Sequence, residues 1–410
     1  MEQYDELPLE DEIALLEENL VLIRERTDRA IEWFYATIFL HNPELRGLFP
    51  PAMDTQRDRF FRALTGGVRN LRDPDTFVPM LAQLGRDHRK YGVRAEHYPV
   101  IEEALITALR KTSENIWVPE LDEAWRRAYR YMAATMIDGA QEAATREPAW
   151  WRAEVVAHER RSEDIAVITV RTDRPYDYRA GQYATIEIPQ RPRDWRSYSM
   201  ATAPSPDGLV EFHVRAVGAG WVSGPLVWRT TVGDVMRLGA PMGDMTADQQ
   251  SQRDILCIAG GTGLAPIKAI VDDLTKWNTA RRVHVFFGVR HARELYDIGA
   301  LQRLAAINPW LHVVPVVSED PGFGGERGLL PDVIARHGDW ADHDVFVCGS
   351  PDMSRATISR LGELGVPADR VRYDVMGGEE SHPAVAQVID LRRSRESRGR
   401  IGSLPGRDGR

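Results

Sequence analysis

Length, charge and cysteine content narrow the class of protein. A chain of 410 residues exceeds what one hydrophobic core usually supports, so we expect two or three domains. A formal net charge of -9 argues against nucleic acid as the main partner, because phosphates repel an acidic surface. The two cysteines, Cys257 and Cys348, lie far apart in apolar runs, which argues against a disulfide framework and favours the reducing cytoplasm.

The sequence predicts neither a signal peptide nor a membrane span. The N-terminus is acidic and lacks the basic and apolar blocks of a signal peptide, and no apolar run approaches the roughly 20 residues of a membrane span. We therefore expect a cytoplasmic protein with no transmembrane segment. From Leu391 onward, arginines outnumber acidic residues, and we expect residues 379–410 to form a disordered basic tail.

The first part of the chain has a helical hydrophobic period. Ile13, Leu16, Leu20 and Ile23 recur at steps of three and four residues, which is typical of an amphipathic helix. Strand-like alternation is almost absent, so we predict an all-α domain over residues 1–149. The prolines expected to break it into short helices are Pro43, Pro50, Pro51, Pro74, Pro79, Pro99 and Pro119.

The pattern changes to short β-rich runs after Trp151. Turn residues separate these runs, which is typical of a small antiparallel barrel, and we predict this domain over residues 150–250. The predicted strands are Ala153–His158, Ile165–Arg171, Tyr183–Ile188, Leu209–Val217 and Asp234–Leu238.

From Asp254 strands alternate with helical patterns. This rhythm predicts a parallel α/β sheet with crossover helices over residues 251–378. The chain as a whole is thus predicted to be a multidomain protein, all-α, then antiparallel barrel, then parallel α/β. The predicted strands of the last domain are Ile255–Ala259, Val283–Val289, Leu311–Val317, Val345–Cys348 and Val371–Val375.

A glycine-rich turn follows the first strand of the α/β domain. Gly260-Gly261-Thr262-Gly263 leads into a helix with Pro266 near its start, where proline is favoured. Such glycines let backbone N–H groups approach a pyrophosphate at a helix N-terminus. The spacing departs from the full G-x-G-x-x-G pattern, and a tight turn without a ligand is the alternative.

Three further motifs accompany this turn: Arg196-Ser197-Tyr198-Ser199, Gly220-Trp221-Val222-Ser223-Gly224 and Cys348-Gly349-Ser350-Pro351. In this order they resemble the ferredoxin–NADP reductase-like family, over about residues 152–377. The resemblance implies FAD on the barrel and NAD(P)H on the α/β domain. It assigns to these cofactors Tyr183, Arg196, Tyr198, Ser199, Gly220, Val222, Ser223, Gly260, Gly261, Thr262, Gly263, Pro266, Cys348, Gly349 and Asp374.

The preferred dinucleotide is less clear from the sequence. The stretch Gly288–Asp297 resembles NADH-using oxygenase reductases, which favours NADH. Arg290 and Arg293 within it could instead receive a 2′-phosphate.

The helical domain carries its own family pattern. Trp33-Phe34-Tyr35 and the segment ending in Phe49 resemble the second helix and following corner of bacterial flavohaemoglobins. Gln56 falls where these proteins have a distal polar residue. Leu81, Leu84 and His88 share one helical face, and a neutral imidazole there can ligate haem iron. The alternatives are a surface histidine and, for Tyr35, simple helix packing.

The whole order of domains resembles flavohaemoglobin from about Leu15 to Gly377. The resemblance implies haem b, FAD and NAD(P)H, and the conversion of nitric oxide and oxygen to nitrate. It implies His88 as the iron ligand, Phe49 packed on the haem and Tyr35 and Gln56 as distal donors. Tyr98 and Glu142 would form a proximal network with His88, although an exposed helix face is the alternative for Glu142.

Two residues depart from the family pattern. Asp87 stands where lysine is frequent, and Met376 stands where phenylalanine commonly shields the flavin. Two other functions also stay open. One is a haem-based oxygen or redox sensor whose basic tail contacts a partner, and the other is an NADH-dependent flavin reductase for a separate oxygenase.

Overall fold

The structure, a computed structural model, describes residues 7–50, 53–218 and 220–375. Within these ranges the chain forms two compact units, one ending at Ala149 and the other beginning at Trp150. The predicted tail and Met376 lie outside the described residues. Of the helices in these ranges, none combines the length and the apolar content that a bilayer span needs.

The first unit is all-α, as predicted. Ile13, Leu16, Leu20 and Ile23 are all buried in its core, which confirms the helical period read from the sequence. Its helices are α1 (Glu10–Leu22), α2 (Thr27–His41), α3 (Asp54–Asn70), α4 (Pro74–His88), α5 (Tyr98–Ser113) and α6 (Pro119–Ala144).

Prolines lie at the start of three of the six helices in this unit. Pro74 and Pro119 occupy the first positions of α4 and α6, where the missing N–H costs nothing. The predicted break at Pro79 is wrong, because α4 runs through it. Close packing on α6 holds this helix: an added Cβ at Gly85 would lie 1.9 Å from the carbonyl oxygen of Met136. Helix packing here outweighs the hydrogen bond that Pro79 cannot make.

The barrel of the second unit has six antiparallel strands, in the order β4-β3-β6-β1-β2-β5. A bridge between Met200, just after β4, and Phe212 of β5 joins the two edge strands, so the sheet nearly closes. The motif Arg196–Ser199 is itself a strand, which the sequence pattern did not predict. The strands are β1 (Trp151–Arg160), β2 (Ile165–Thr172), β3 (Tyr183–Glu187), β4 (Arg196–Ser199), β5 (Leu209–Arg215) and β6 (Val235–Leu238), with one short helix, α7 (Ser223–Trp228).

The remaining strands form the predicted parallel sheet, in the order β10-β9-β8-β7-β11-β12. Its central strands are buried on both faces, as covered parallel sheets require. The two-residue strand β10 was not predicted. The strands are β7 (Ile255–Gly260), β8 (Val283–Val289), β9 (Leu311–Val317), β10 (Glu326–Arg327), β11 (Asp344–Gly349) and β12 (Val371–Val375). The helices are α8 (Leu264–Trp277), α9 (Ile298–Ile307), α10 (Leu330–His337) and α11 (Pro351–Glu363).

A buried ion pair anchors the start of β11. The Asp344 carboxylate accepts from Arg281 at 2.7 Å, from Arg253 at 3.0 Å and from Ser251 at 2.6 Å. Burial alone would raise the pKa of Asp344, but the hydrogen bonds of Ser251 and Arg253 and the two arginine charges hold it below its usual value. The pair therefore stabilises the fold at neutral pH, and that contribution is lost as acid protonates the carboxylate.

Asp344→Asn should destabilise this unit by about 3 kcal/mol at pH 7, because it leaves the buried Arg281 charge without its partner. Stability should also depend less on pH in the acid range, since asparagine does not titrate. Guanidinium unfolding of both proteins at several pH values measures this. Asp342→Asn is the control, because the Asp342 side chain is 86% exposed. Equal losses in the two variants would contradict the assignment.

Candidate functional site

His88 is the last residue of α4, and one of its ring nitrogens makes a hydrogen bond within the helix. Its Nδ1 lies 2.7 Å from the carbonyl oxygen of Leu84, and a carbonyl can only accept, so Nδ1 carries the hydrogen. Burial lowers the pKa of His88, against a smaller opposing effect of Asp87, so the ring is neutral at pH 7. A neutral ring with hydrogen on Nδ1 has its lone pair on Nε2. That is the form in which a histidine binds a metal.

An aromatic cluster occupies the corner between α2 and α3. The Phe49 ring packs edge-on against Tyr35 and Phe39, with centroids 5.6 and 5.4 Å away, and Tyr35 is buried. The structure also brings this corner to the loop after α4, because a Cβ on Gly92 would lie 3.7 Å from a methyl carbon of Leu48. The segments that carry Phe49 and His88 therefore lie close together. Gln56 belongs to α3, but its side chain is not among those that the structure describes.

The predicted proximal network is not assembled. The Glu142 side chain is 65% exposed and its carboxylate pairs with Arg146 one turn along α6, at 2.9 Å. Tyr98 is largely buried at the start of α5, and burial raises the pKa of its hydroxyl to about 12. Its backbone carbonyl accepts from the Tyr129 hydroxyl at 2.9 Å. Thirteen residues, about 20 Å of helix, separate Tyr129 from Glu142, so placing Glu142 with Tyr98 and His88 is wrong.

A buried ion pair stands beside His88 instead. The Lys90 Nζ lies 2.5 Å from Asp87 Oδ1, and both side chains are almost fully buried. Asp87 stands where the resemblance expects a lysine. Its negative charge is neutralised by Lys90, three residues further along the chain. No sequence pattern pointed to Lys90.

The barrel motif lies on paired strands. Tyr183 on β3 faces Ser199 on β4, and Ala184 faces Tyr198. Tyr198 and Ser199 are buried, and burial raises the pKa of the Tyr198 hydroxyl, so it stays protonated. Arg196 at the start of β4 forms an ion pair with Asp194. The structure thus gathers four of the residues assigned to FAD.

The turn before α7 is too tight for a side chain at Gly220. A Cβ there would lie 2.3 Å from the Ser223 hydroxyl oxygen and 2.8 Å from the Val217 carbonyl oxygen. The Ser223 hydroxyl accepts from the Val217 N–H at 3.4 Å. Val222 is the residue before the helix. These contacts hold the backbone of residues 220–224 in the tight turn that we predicted to bind the FAD pyrophosphate.

The glycine turn after β7 lies against the end of β11. A Cβ on Gly263 would lie 2.2 Å from the Cys348 carbonyl oxygen, and one on Gly260 would lie 3.6 Å from Gly349 Cα. Gly261 has a φ of 55°, in the region that favours glycine. Thr262 belongs to the same turn, and Pro266 is buried in the first turn of α8. The glycines therefore bring two strand ends together at the carboxyl edge of the sheet, where nucleotides bind.

Asp374 lies beside this edge. It pairs in register with Cys348 across β11 and β12. Burial, with a smaller contribution from the charge of Asp244, raises the pKa of Asp374 to about 7. Its Oδ2 is buried without a hydrogen-bond partner among the described residues. A buried, unsatisfied carboxyl oxygen is expected where a polar cofactor group completes the site.

A buried polar cluster that the sequence did not reveal joins the barrel to the α/β sheet. The His213 ring on β5 lies 2.8 Å from the Tyr296 hydroxyl and 3.1 Å from a carboxylate oxygen of Glu211. Lys268 of α8 donates to the same Glu211 oxygen at 2.8 Å. This cluster holds the two domains of the second unit together. Period-two alternation predicted β5, but it gives no information about contacts between domains.

Family models cover most of the described chain. A globin model matches residues 32–136, an oxidoreductase FAD-binding domain model matches residues 152–246, and an oxidoreductase NAD-binding domain model matches residues 257–358.

Individual relatives match in the same way. The flavohemoprotein of Chromobacterium violaceum is 31% identical over 388 residues, which cover 85% of this chain and 93% of that protein. The reductase component of the naphthalene 1,2-dioxygenase system of Pseudomonas putida is 35% identical over 222 residues, 54% of this chain and 67% of that one. The crystal structure of a flavohemoglobin from Malassezia yamatoensis, with FAD and haem bound, superposes with a TM-score of 0.76 at 19% identity and covers 90% of this chain and 99% of that one.

Fold, site and models together define a class: a haem- and FAD-containing oxidoreductase that takes electrons from NAD(P)H. The neutral His88 and the unsatisfied Asp374 fit those cofactors. Within that class, the chain belongs to the flavohemoprotein family. The predicted resemblance, fold class and cofactors are therefore confirmed.

The position of Glu142 gives a direct test of the corrected proximal site. Glu142→Gln should leave haem content and the iron–histidine stretching frequency of the reduced protein unchanged, because the carboxylate faces solvent and exposed substitutions rarely matter. Resonance Raman spectroscopy measures that frequency. His88→Ala, which removes the proposed ligand, is the positive control. A shifted frequency in Glu142→Gln would restore Glu142 to the network.

Proposed function

We propose that the protein is a nitric oxide dioxygenase. One NAD(P)H supplies two electrons, and two nitric oxide and two oxygen molecules become two nitrate ions, with NAD(P)⁺ and one proton as the other products. The observation that carries the proposal is Tyr35, a buried tyrosine packed on Phe49 in the unit that presents a neutral His88. When bound, FAD would accept a hydride and pass on its two electrons one at a time, and haem iron would activate oxygen.

The residues of the first unit have distinct roles. His88 would hold the iron through Nε2, while its Nδ1 hydrogen bond to Leu84 fixes the ring. The Tyr35 hydroxyl would donate to the negative charge that develops on oxygen, with Gln56 as a second donor. Phe49 would pack against the macrocycle. We propose no role for Glu142, and Tyr98 supports the proximal side through burial alone.

In the second unit, Tyr198 would lie along the flavin ring, with Arg196 near its phosphates and Ser199 near a flavin nitrogen. Gly220, Val222 and Ser223 would hold the FAD pyrophosphate, with Tyr183 on the adjoining strand. Asp374, whose pKa is raised to about 7 by burial, can hold or release a proton at neutral pH. The nicotinamide dinucleotide would bind Gly260, Gly261, Thr262, Gly263, Pro266, Cys348 and Gly349.

The domain boundaries follow the same assignment: residues 1–149 for haem, 150–250 for FAD and 251–378 for the dinucleotide. Both cysteines are free and buried, which favours the reducing cytoplasm as the compartment.

A second candidate has an observation of its own. The reductase half is 35% identical over 222 residues to a dioxygenase-system reductase component, a relative that matches only about half of this chain. A reductase that serves a separate oxygenase would not use Tyr35 or His88. The two functions differ in whether nitric oxide is consumed by this chain alone.

Tyr35→Phe should lower the rate of nitric oxide consumption by about 10- to 100-fold, because it removes one donor to the developing charge. The measurement is nitrate formed and nitric oxide lost when the NADH-reduced protein is mixed with oxygen and nitric oxide. Tyr131→Phe, in the same unit and partly buried, is the control. If neither the unsubstituted protein nor the control forms nitrate, the dioxygenase proposal fails and the reductase candidate gains support.

A further inference from the structure

Glu147 follows the end of α6 and is held there by its backbone. Its N–H donates to the Ala143 carbonyl at 3.0 Å, which continues the hydrogen bonding of the helix beyond its last residue. The second unit begins three residues later, at Trp150. Glu147 is therefore one of the last residues of the helical unit.

Glu147 contacts the chain on both sides of His88. Its carboxylate accepts from two nitrogen atoms of the Arg86 guanidinium, from Nη2 at 2.6 Å and from Nε. Its backbone carbonyl accepts from Arg89 Nη2 at 2.7 Å. Because Arg86 lies two residues before His88 and Arg89 one residue after it, these contacts hold the segment that carries the histidine.

These contacts are shielded from water. The Arg89 side chain is 12% exposed and the Glu147 side chain 19%, whereas exposed ion pairs contribute little because water and salt screen them. A bidentate contact between a guanidinium and a carboxylate is among the strongest of hydrogen-bonded pairs. The charges of Arg86 and Arg89 repel each other, and Glu147 attracts both. Removing the Glu147 charge would leave two partly buried cations side by side.

The two helices that Glu147 connects are also in backbone contact before this point. A Cβ at Gly139 of α6 would collide with the Ala82 carbonyl of α4, just as one at Gly85 would collide with Met136. These contacts fix α4 against α6 as far as Gly85. The last turn, which carries His88, belongs to the part of a helix that frays most readily. Glu147 reaches this turn from the end of α6.

We propose that Glu147 is a positioning residue for His88. By holding Arg86 and Arg89, it keeps the last turn of α4 closed, so that the His88 Nδ1–H stays on the Leu84 carbonyl and Nε2 keeps one direction. Glu147 acts through the backbone of α4, which differs from the direct contact with the ring that the resemblance gave to Glu142. The inference rests on the role of His88 as iron ligand in the proposed function.

The experiment uses the full-length, haem-loaded protein in its ferrous form. Glu147→Gln keeps the size of the side chain but removes its charge. The iron–histidine stretching band should broaden and move to lower frequency, because a ring that leaves the Leu84 carbonyl donates less to iron. Transfer of haem to an excess of apomyoglobin should be about 10-fold faster.

Two further variants accompany this one. Glu103→Gln is the matched control, since its carboxylate pairs with Arg126 in the same unit but is 66% exposed, and it should leave the band unchanged. Arg86→Lys keeps the positive charge but loses the bidentate contact. It should move the band in the same direction as Glu147→Gln, and it supplies the test if Glu147→Gln does not fold.

Hydrogen exchange followed by mass spectrometry separates positioning from a general loss of stability. In Glu147→Gln, residues 84–92 should exchange about 10-fold faster, while α1 and α5 keep their protection. Equal acceleration throughout the helical unit, or an unshifted band in Glu147→Gln or Arg86→Lys, would overturn the inference. An unsubstituted protein without an iron–histidine band would defeat the proposed function and the inference together. Failure of nitrate formation alongside a shifted band would defeat the proposed function only.

Discussion

The hydrogen bond between His88 and the Leu84 carbonyl is the constraint on which the proposed haem site depends. It decides which ring nitrogen carries hydrogen, and therefore which one presents a lone pair. It also decides how strongly the ring donates electrons, because a neutral carbonyl polarises an imidazole less than a carboxylate does. The carboxylate predicted for this role, Glu142, is turned to solvent, and the carboxylate beside the histidine, Asp87, is neutralised by Lys90. The proximal side is thus built from neutral or paired groups.

In the second unit, the geometry of the proposed site depends on close approach between backbone segments. Gly263 and Gly260 allow the turn after β7 to contact the end of β11, so the proposed dinucleotide site and Asp374 lie at one edge of the sheet. The polar cluster of His213, Tyr296 and Glu211 then fixes that edge against the barrel. Hydride transfer demands such positioning, because reacting atoms must be held within about 3.5 Å.

The sequence predicted most of the fold because hydrophobic periods and turn residues are local signals. The predicted strands all lie within a few residues of their expected bounds, and the helical period that begins at Ile13 lies in α1. The errors have physical causes. Pro79 remains helical because α4 packs tightly on α6, and the four-residue β4 has too few positions to display alternation. Contacts between distant segments could not be predicted from the sequence either. The resemblance placed Glu142 with His88, whereas in the structure the Glu142 carboxylate is exposed and pairs with Arg146.

The same limit applies to the candidate site. The glycine turn and the Arg-x-Tyr-Ser motif act mainly through backbone and neighbouring side chains, so motif and geometry agree. His213 acts through Tyr296, which lies far along the chain, and the pairing of Lys90 with Asp87 follows no motif. Their roles emerged only from burial and distance.

We propose that one chain carries electrons from NAD(P)H through a flavin to an iron held by His88. An absorption spectrum of the purified protein, recorded without oxygen before and after adding NADH, tests it directly. The account predicts a haem Soret band and flavin absorbance at the start, then bleaching of the flavin and a shift of the Soret band to the reduced position. A flavin that bleaches while the Soret band stays unchanged, or the absence of a Soret band after haem supplementation, would contradict it.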